Sequence, residues 1–328
     1  MYINFFSFSQ LITGSIYLLG QKIDEVVRSK TAKHAPYPTV CVGNFQAGGT
    51  GKTPATLWVA KQLKGLGYSP VIIIRGYRGS VSKSTIVDRQ DAYAYGDETV
   101  LHAQHFPTIV GKNRLESTHL AHTIPGDKKV LIMDDGLQHY QLLKDFSIVC
   151  QKNLRFEADA MLPIGRLRQI PHTNVHAILS QINEAGYQKV ESWKGIPEYT
   201  FARETVLRSG SKEPGLVVCG VANPDDCLYR IQKAGEFIGD EMKFRDHHRY
   251  SAADLARIEK ASKKYEYHVH CTAKDAVKLA PLVEAENSPI RLSVWDVEIQ
   301  PVGNVQPLLD AMVAKIEEVY KNRSQKQA

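Results

Sequence analysis

The sequence predicts an α/β fold of the P-loop NTPase type, with a doubly wound, mostly parallel sheet and a second, smaller α/β domain. Apolar runs at 70–75, 129–133 and 146–150 lack polar alternation, as expected for parallel strands buried on both faces. Segments with helical spacing, at 55–66 and 113–123, alternate with them. A glycine-rich turn joins the first strand, which starts at Thr39, to the first of these helices. Ligands of such sheets bind at the carboxyl ends of the strands.

The predicted organisation has four parts. Residues 1–30 form an amphipathic membrane-contact helix, 31–183 the P-loop domain, 184–210 a mixed polar linker and 211–328 the second α/β domain. Further short strands are expected at 108–110 and 177–179. In the second domain the sequence predicts strands at 215–219, 267–271 and 290–297, helices at 225–233 and 252–264, and a closing helix at 304–322 with a frayed tail.

Composition limits the classes of function. A hydrophobic content of 43% and a charged content of 23% are typical of a soluble globular protein. The net charge of +6 fits an anionic substrate or an acidic membrane surface, and because the basic residues are scattered, no nucleic-acid partner is expected. No obligate protein partner is evident. The five cysteines include no C-x-x-C pair, which indicates reduced thiols in the cytoplasm, and Cys41, Cys150 and Cys219 are predicted core residues.

The N-terminal segment carries apolar residues at helical spacing. Polar residues interrupt the run too often for a membrane-spanning helix, and the features of a signal peptide are missing. An amphipathic helix followed by Arg28, Lys30 and Lys33 suits the surface of an anionic membrane. A helix packed on the protein's own core is the alternative. The apolar positions are Phe5, Phe6, Phe8, Leu11, Ile12, Ile16, Leu19, Ile23, Val26 and Val27.

The glycine-rich turn predicts a triphosphate site. A strand, a glycine turn and a helix in succession direct several backbone N–H groups at a polyphosphate. Lys52 is expected to reach the β- and γ-phosphates, and the Thr53 hydroxyl to hold Mg²⁺. Gln46 stands where the standard motif has a glycine. The predicted nucleotide-binding residues are Gly48, Gly49, Thr50, Gly51, Lys52 and Thr53.

A pair of acids follows the apolar strand at 129–133. A P-loop protein places the carboxylate that organises Mg²⁺ at this position, so Asp134 and Asp135 are candidate metal ligands. Gln138 and His139 follow closely enough to face the same cleft. An ordinary turn would also explain Asp-Asp-Gly alone, but the P-loop upstream favours a metal site.

Two further segments can supply proton transfer. Asp97 opens a helical run and is either a solvated first-turn residue or the general base that a kinase needs apart from its metal ligands. His247 and His248 follow Asp246, and such a group can orient a base, share a proton or bind a metal. The sequence alone does not decide between these roles.

Two loops carry arginines that can bind a phosphate on an acceptor, one with Arg75 and one with Arg168. Solvated arginines without a ligand are the alternative. His268 and His270 share one face of a strand, but a zinc site there is disfavoured because no second spaced pair of ligands accompanies them.

The order of the motifs along the chain is more specific than any one motif. After the amphipathic N-terminus come Val42-Gly-Asn44, Gly48-Gly-Thr-Gly-Lys-Thr-Pro54, Arg75-Gly-Tyr77, Gly96-Asp-Glu98, Pro107-Thr-Ile-Val-Gly111, Asp134-Asp-Gly-Leu-Gln-His139, Leu162-Pro-Ile-Gly165, Leu167-Arg168, Gly220-Val-Ala-Asn-Pro224, Asp246-His-His248 and Thr272-Ala-Lys-Asp-Ala276. This series covers nearly the whole chain and resembles the tetraacyldisaccharide 4′-kinases of lipid A biosynthesis.

The resemblance implies transfer of the γ-phosphoryl group of ATP, with Mg²⁺, to the 4′-hydroxyl of an acylated glucosamine disaccharide 1-phosphate, giving lipid IVA. It also implies a peripheral position on the lipid surface of the bacterial inner membrane, at its cytoplasmic face. By resemblance, Asp97 is the base, paired with His247 or His248, and Lys52 assists catalysis. Thr53, Glu98, Asp134 and Asp135 would attend the metal, and Arg75, Tyr77, Gln138, His139 and Arg168 the substrate.

Three departures from the family pattern are visible. Gln169 replaces an acid after Leu167-Arg168, Ala273 replaces another acid, and an aromatic residue is missing after Pro224. The alternative function is a membrane-associated partition-type P-loop ATPase or GTPase switch. Those ATPases carry a lysine before the double glycine, where this chain has Ala47.

Overall fold

The predicted alternation of strands and helices is present in the computed structural model, which describes residues 8–89, 91–151, 161–162, 165–169, 174–182, 195–235 and 239–327. Residues 8–13 and 326–327 are described by their backbone alone. The chain divides into two compact units. The first contains residues 1–73, 114–202 and 300–328, and the second contains residues 74–113 and 203–299.

The elements of the described residues are numbered in chain order. The helices are α1 (Phe8–Ser29), α2 (Lys52–Gly65), α3 (Ala92–Tyr95), α4 (Asp97–Ala103), α5 (Arg114–Leu120), α6 (Pro224–Gly235), α7 (Ala252–Ser262), α8 (Ala273–Ala285) and α9 (Gln306–Gln327). The strands are β1 (Thr39–Gly43), β2 (Ser69–Ile74), β3 (Thr85–Ile86), β4 (Thr108–Val110), β5 (Lys129–Asp134), β6 (Phe146–Gln151), β7 (Ala177–Gln181), β8 (Glu198–Ser209), β9 (Leu216–Cys219), β10 (Glu241–Lys243), β11 (His268–Thr272) and β12 (Arg291–Val302).

In the first unit the strands lie in the order β8, β7, β6, β1, β5, β2, and each neighbouring pair is parallel. β1, β5 and β6 are buried along their whole length, which requires apolar side chains on both faces of the sheet. Val42 pairs with Asp134, so the turn after β1 and the two acids at the end of β5 lie at the same edge of the sheet. The predicted mostly parallel α/β sheet is confirmed.

In the second unit β10, β9, β11 and β12 form parallel pairs in that order, and β3 pairs with β4 in antiparallel fashion. Leu255 and Ile258 of α7 and Leu279 of α8 pack with Val218 and Val269 in one apolar cluster. Helix α8 also packs against α4. This helix pair positions several of the charged side chains discussed below.

The structure replaces the second half of the predicted linker with a strand, β8. Phe201 of β8 is buried, and its ring lies edge-on to that of Trp58 at 5.0 Å between centroids. The alternation of Tyr199 and Phe201 with Thr200 and Ala202 was the strand signal that the polar composition concealed. Residues 183–194 of the predicted linker lie outside the described residues.

Two segments belong to a different unit from the one that the sequence predicted. Residues 74–113 pack within the second unit, and residues 300–328 return to the first. In α9 the Tyr320 hydroxyl donates to the Lys129 carbonyl, and Arg323 donates to the Ala35 carbonyl, which fixes this helix to the first unit. Helix α9 continues to Gln327, where a frayed tail was expected, and α8 was not predicted as a helix.

Helix α1 confirms the predicted amphipathic helix and shows which face is exposed. Tyr17 donates from its hydroxyl to the Arg168 carbonyl, and Gln21 donates to the Tyr140 hydroxyl, so the polar side faces the first unit. Five of the predicted apolar positions have described side chains, and these face outward and are 49–63% exposed: Ile16, Leu19, Ile23, Val26 and Val27. They do not pack on the protein's own core. Phe5 and Phe6 lie outside the described residues, as do the side chains of Phe8, Leu11 and Ile12.

No helix within the described ranges has both the length and the apolar character needed to cross a membrane.

Candidate active site

Glycine residues determine the backbone conformation of the P-loop in the first unit. Gly48 and Gly51 have φ values of 110° and 82°, a region that side chains rarely adopt, and nothing lies within 4 Å of a Cβ placed on Gly48 or Gly49. Helix α2 begins at Lys52, directly after Gly51. The turn and the N-terminus of α2 therefore have the backbone geometry that an anion site requires.

Asn44 supports the P-loop through a side-chain hydrogen bond. Its side-chain amide donates to the Thr50 hydroxyl at 2.8 Å, and it is fully buried. Gln138 in turn donates to the Asn44 carbonyl at 3.0 Å and to the Gln169 side-chain oxygen at 3.1 Å. Sequence analysis assigned no role to Asn44, although its place directly after β1 is where a side chain can reach the turn.

The loop at 165–169 pairs with the first half of the P-loop. The Ala47 amide donates to the Arg166 carbonyl at 2.6 Å, and the Arg168 amide donates to the Phe45 carbonyl at 2.7 Å. Gln169 is buried and accepts the hydrogen bond from Gln138. Gln169, which departs from the family pattern, thus supports the P-loop through its hydrogen bond with Gln138.

The two aspartates at the end of β5 have different surroundings. Asp134 is buried, whereas the Asp135 side chain is 36% exposed and has a φ of 52°, unusual for a residue with a side chain. Asp135 lies 3.8 Å from the Lys52 ammonium and 3.1 Å from the Arg168 guanidinium. The structure therefore brings together Lys52, Asp135 and Arg168, three residues that the sequence proposed separately.

The donors at this edge of the sheet fit Mg²⁺. Asp134, Asp135 and the Thr53 hydroxyl are oxygen ligands, which Mg²⁺ prefers, and this ion is commonly held by one or two carboxylates together with substrate phosphates. No group of three or more His, Cys, Asp or Glu side chains suited to a metal occurs within the described part of the chain. The ion would therefore take its remaining ligands from the nucleotide and water.

A cavity of about 420 Å³ lies beside these residues in the first unit. It is lined on one side by α1, through Tyr17 and Gln21, and on the other by Gln138, Tyr140 and Arg168. Two of the residues predicted to bind substrate, Gln138 and Arg168, thus share one cavity with the amphipathic helix.

His139 is half-buried, and the Lys144 ammonium binds its carbonyl at 2.6 Å.

In the second unit Asp97 and His247 form a close pair. The His247 Nδ1 atom lies 2.9 Å from Oδ1 and 2.8 Å from Oδ2 of Asp97. Burial raises the pKa of Asp97, but the His247 hydrogen bond and the charges of Lys278 and Lys274 outweigh it and lower this pKa to about 2. The same hydrogen bond raises the pKa of His247. An aspartate and an imidazole in this arrangement can hold and move a proton.

The structure selects between the two adjacent histidines. His247 has a φ of 57°, and this turn of the backbone directs its ring to Asp97. His248 instead lies 3.0 Å from Asp254, which also accepts from Ser251 in the capping box of α7. The contacts of His248 are thus with the start of a helix, and it is not brought to Asp97.

Helix α8 contributes lysines that sequence analysis missed. Lys274 binds the carboxylate of Glu98, a predicted metal ligand, and Lys278 lies 3.5 Å from Asp97. Both lysines follow Thr272, whose hydroxyl accepts from the Asp275 amide and caps α8. Their spacing of four residues, which places them on one helix face, was the available signal.

The remaining predicted residues have these positions. Tyr77 is 62% exposed, and its ring meets that of His247 edge-on at 5.4 Å between centroids. Arg75 is exposed directly after β2. His268 and His270 are buried, and their hydrogen bonds go to Ser293 and to the Glu213 carbonyl, in agreement with the packing role. Cys41, Cys150 and Cys219 are buried core residues, as predicted.

Comparison with known proteins agrees with the motif order. The family model described as tetraacyldisaccharide-1-P 4′-kinase matches residues 7–317. The chain belongs to this kinase family. A tetraacyldisaccharide 4′-kinase of Methylobacterium nodulans is 33% identical over 279 residues, covering 79% of this chain and 80% of the relative. Another, of Halorhodospira halophila, is 30% identical over 291 residues, covering 86% and 84%.

A solved structure shares the fold. The crystal structure of LpxK from Aquifex aeolicus in complex with ATP superimposes with a TM-score of 0.72 at 23% sequence identity. The match covers 94% of this chain and 98% of that one. At this identity the likeness concerns the fold alone. Membership of the 4′-kinase family makes the chain a phosphotransferase with an alcohol acceptor in lipid A biosynthesis, and it does not favour the alternative of a partition-type switch.

Proposed function

We propose that this kinase transfers the γ-phosphoryl group of ATP to the 4′-hydroxyl of tetraacyldisaccharide 1-phosphate, forming lipid IVA. The observation that carries the proposal is the Asp97–His247 pair, which consists of residues other than the two acids at the end of β5. A nucleotide switch needs a P-loop and a metal-organising acid, whereas transfer to an alcohol also needs a group that receives the hydroxyl proton. Family membership supports the same reaction.

The first unit supplies the nucleotide chemistry. The amides of the P-loop and the N-terminus of α2 would bind the triphosphate, and Lys52 would leave Asp135 to contact the β- and γ-phosphates. Thr53, Asp134 and Asp135 would hold Mg²⁺, which neutralises charge on the transferring group. Asn44 keeps the loop in the conformation that presents these amides.

The second unit supplies the acid–base chemistry. The acceptor oxygen attacks the γ-phosphorus, the bond from that phosphorus to the β–γ bridging oxygen breaks, and ADP leaves. The hydroxyl proton passes to Asp97, and His247 stabilises the carboxylate through its Nδ1 hydrogen bond. Tyr77 packs on His247 and would border the acceptor, and Glu98 pairs with Lys274. The proposed role of Glu98 as a metal ligand follows from the family resemblance.

The cavity beside α1 is the proposed place for the acylated sugar. Arg168 and Gln138 line it and can bind phosphate and hydroxyl groups, while α1 forms its outer wall. His139 and Arg75 are further proposed substrate contacts from the sequence. A substrate with four acyl chains stays in the bilayer, and the outward apolar face of α1 would bring this cavity to the lipid headgroups.

The function is tested with purified protein, γ-labelled ATP and the acylated disaccharide 1-phosphate in detergent micelles. We expect label in the lipid only when Mg²⁺ is present, and at the 4′ position when the product is hydrolysed and mapped. The Lys52→Met variant is the matched negative control. ATP hydrolysis without labelled lipid, accelerated by a second protein, would contradict the kinase and favour a switch.

Membrane contact is tested on vesicles that contain anionic lipid. We expect an Ile16→Glu/Leu19→Glu double variant to lose most of its recovery with vesicles, because both side chains would otherwise enter the interface. Leu66→Glu/Val302→Glu is the matched control, since it places the same charges at exposed apolar positions away from α1. Equal loss in both variants would show that α1 has no special part in membrane contact. The site is proposed to face the cytoplasmic leaflet of the inner membrane.

A further inference from the structure

A lysine in the interior of the second unit meets the carboxylate of the proposed base. Lys278 is on α8, and its side chain is 4% exposed. Its ammonium lies 3.5 Å from Oδ2 of Asp97 and 3.6 Å from Oδ1 of Asp275. It also lies 5.6 Å from the centre of the Tyr250 ring. Burying an ammonium group costs free energy unless charged or polar partners surround it. The folded protein therefore has to keep Lys278 in contact with these partners.

The second carboxylate of this set has a structural use of its own. Asp275 is fully buried and accepts from the Gly220 amide, the Tyr250 hydroxyl and the Thr272 hydroxyl. These three donors hold Asp275 in place without Lys278. Asp275 therefore acts as the fixed anchor, and Lys278 connects that anchor to Asp97.

Asp97 is held at both of its oxygens. Oδ1 accepts from the Glu98 amide at 2.9 Å, and Oδ2 faces Lys278. His247 approaches both oxygens from the remaining side. Without the lysine, the contacts left to orient the carboxylate among the described residues would be the Glu98 amide and the His247 imidazole.

We propose that Lys278 is a positioning residue for phosphoryl transfer, which orients the Asp97 carboxylate between the fixed Asp275 and the His247 imidazole. It does not touch the substrate and acts through Asp97. The proposal rests on the proposed role of Asp97 as the base. A purely structural ion pair between α4 and α8 is the alternative, and it would affect folding without a specific dependence on Asp97.

A double-mutant cycle separates the two. We expect Lys278→Met to lower kcat by about a hundredfold with little change in the KM for ATP, since a small misplacement of a reacting group has this effect. In an Asp97→Asn background, Lys278→Met should cause no further loss. Additive losses in the double variant would overturn the positioning role.

Lys264→Met is the matched control. Lys264 also pairs with an aspartate of the second unit, Asp240 at 2.6 Å, but both side chains are 58% exposed. We expect its kcat to equal that of the wild type. Lys278→Arg is the second variant if Lys278→Met folds poorly, because it keeps a cation but displaces it. We expect an intermediate loss that again disappears in the Asp97→Asn background.

A readout that does not need kinase activity distinguishes a failure of this inference from a failure of the proposed function. In protein labelled with ¹⁵N-histidine, the Nδ1–H signal of His247, assigned from a His247→Asn variant, reports its hydrogen bond to Asp97. We expect this signal to shift or broaden in Lys278→Met and to stay in place in Lys264→Met. An unchanged signal in Lys278→Met would overturn the inference even if lipid phosphorylation is confirmed.

Discussion

The P-loop region and the Asp97–His247 region build their chemistry in opposite ways. The P-loop is proposed to bind phosphate through main-chain amides over a short stretch, so its glycines and Lys52 are recognisable in the sequence. The pair in the second unit joins residues 150 positions apart, and its lysines come from a third segment. Local motifs are therefore visible in a single sequence, whereas a site assembled from distant side chains needs the fold.

The largest expected difference lies between two neighbouring histidines. His247→Asn should lower kcat by about a hundredfold to ten-thousandfold, the range for loss of acid–base assistance, because it removes the partner of Asp97. Asparagine tolerates the positive φ at this position, which limits damage to the backbone. His248→Asn is the control and should keep most activity, with a small loss of stability at the start of α7. Equal activity losses in a steady-state assay would contradict the assignment of His247.

The next largest effect concerns Lys52. Lys52→Met should lower kcat by about a hundredfold to a thousandfold, because an electrostatic contact to the transferring phosphates is lost. The fold should remain, since the neighbouring contacts of Asp135 include Arg168 as well. Kinetics and thermal melting of the same preparation provide the measurement. Turnover close to that of the wild type would contradict the phosphate-binding role.

A smaller effect is expected from Asn44, whose side-chain amide binds the hydroxyl of Thr50 in the proposed nucleotide site. Asn44→Ala leaves a buried hydroxyl without its donor, which typically costs about 1–3 kcal/mol, so we expect ATP to bind about tenfold more weakly. Thr50→Val removes the other partner of the same bond. The double variant should be no weaker than the worse single variant in isothermal titration. Independent losses would show that the bond does not support the loop.

The smallest expected effect is a pH dependence of the stability of the second unit. Burial lowers the pKa values of His268 and His270, so both are neutral in the folded state near neutral pH. Trp295 donates to Nδ1 of His270, which leaves Nε2 to donate to the Glu213 carbonyl. Because the unfolded chain takes up protons more readily, this stability is full above the ordinary pKa of 6.5 and falls as the pH drops below it.

Fluorescence can assign that loss to one unit. Trp295 lies beside His270 in the second unit, and Trp58 lies in α2 of the first. In denaturant titrations between pH 7.5 and pH 5.5, a Trp58→Phe/Trp193→Phe variant, which keeps only Trp295 of the three tryptophans in the sequence, should lose unfolding free energy with falling pH. A His268→Asn/His270→Gln variant should be less stable at neutral pH but show a weaker dependence. The same slope in both would mean that other groups cause it.

The sequence predicted most of the first unit because its strands are continuous apolar runs and its glycines mark the turn. It missed β8, since half-buried strands with charged residues resemble linkers in composition. It also missed α8 as a helix, and with it Lys274 and Lys278, because Pro281 within that segment weakens the helical pattern. It could not choose between His247 and His248, because the choice depends on a backbone turn that brings one of them to Asp97.

The left-handed backbone at Asp135 and His247 affects how the enzyme would lose activity on heating. Each of these residues is kept in an unfavourable local conformation by its surroundings, at an expense of about 1–3 kcal/mol. Mild heating should relax these two turns while the buried strands stay intact. Loss of turnover would then precede unfolding of the sheet. Circular dichroism would still show native secondary structure after catalytic activity had been lost.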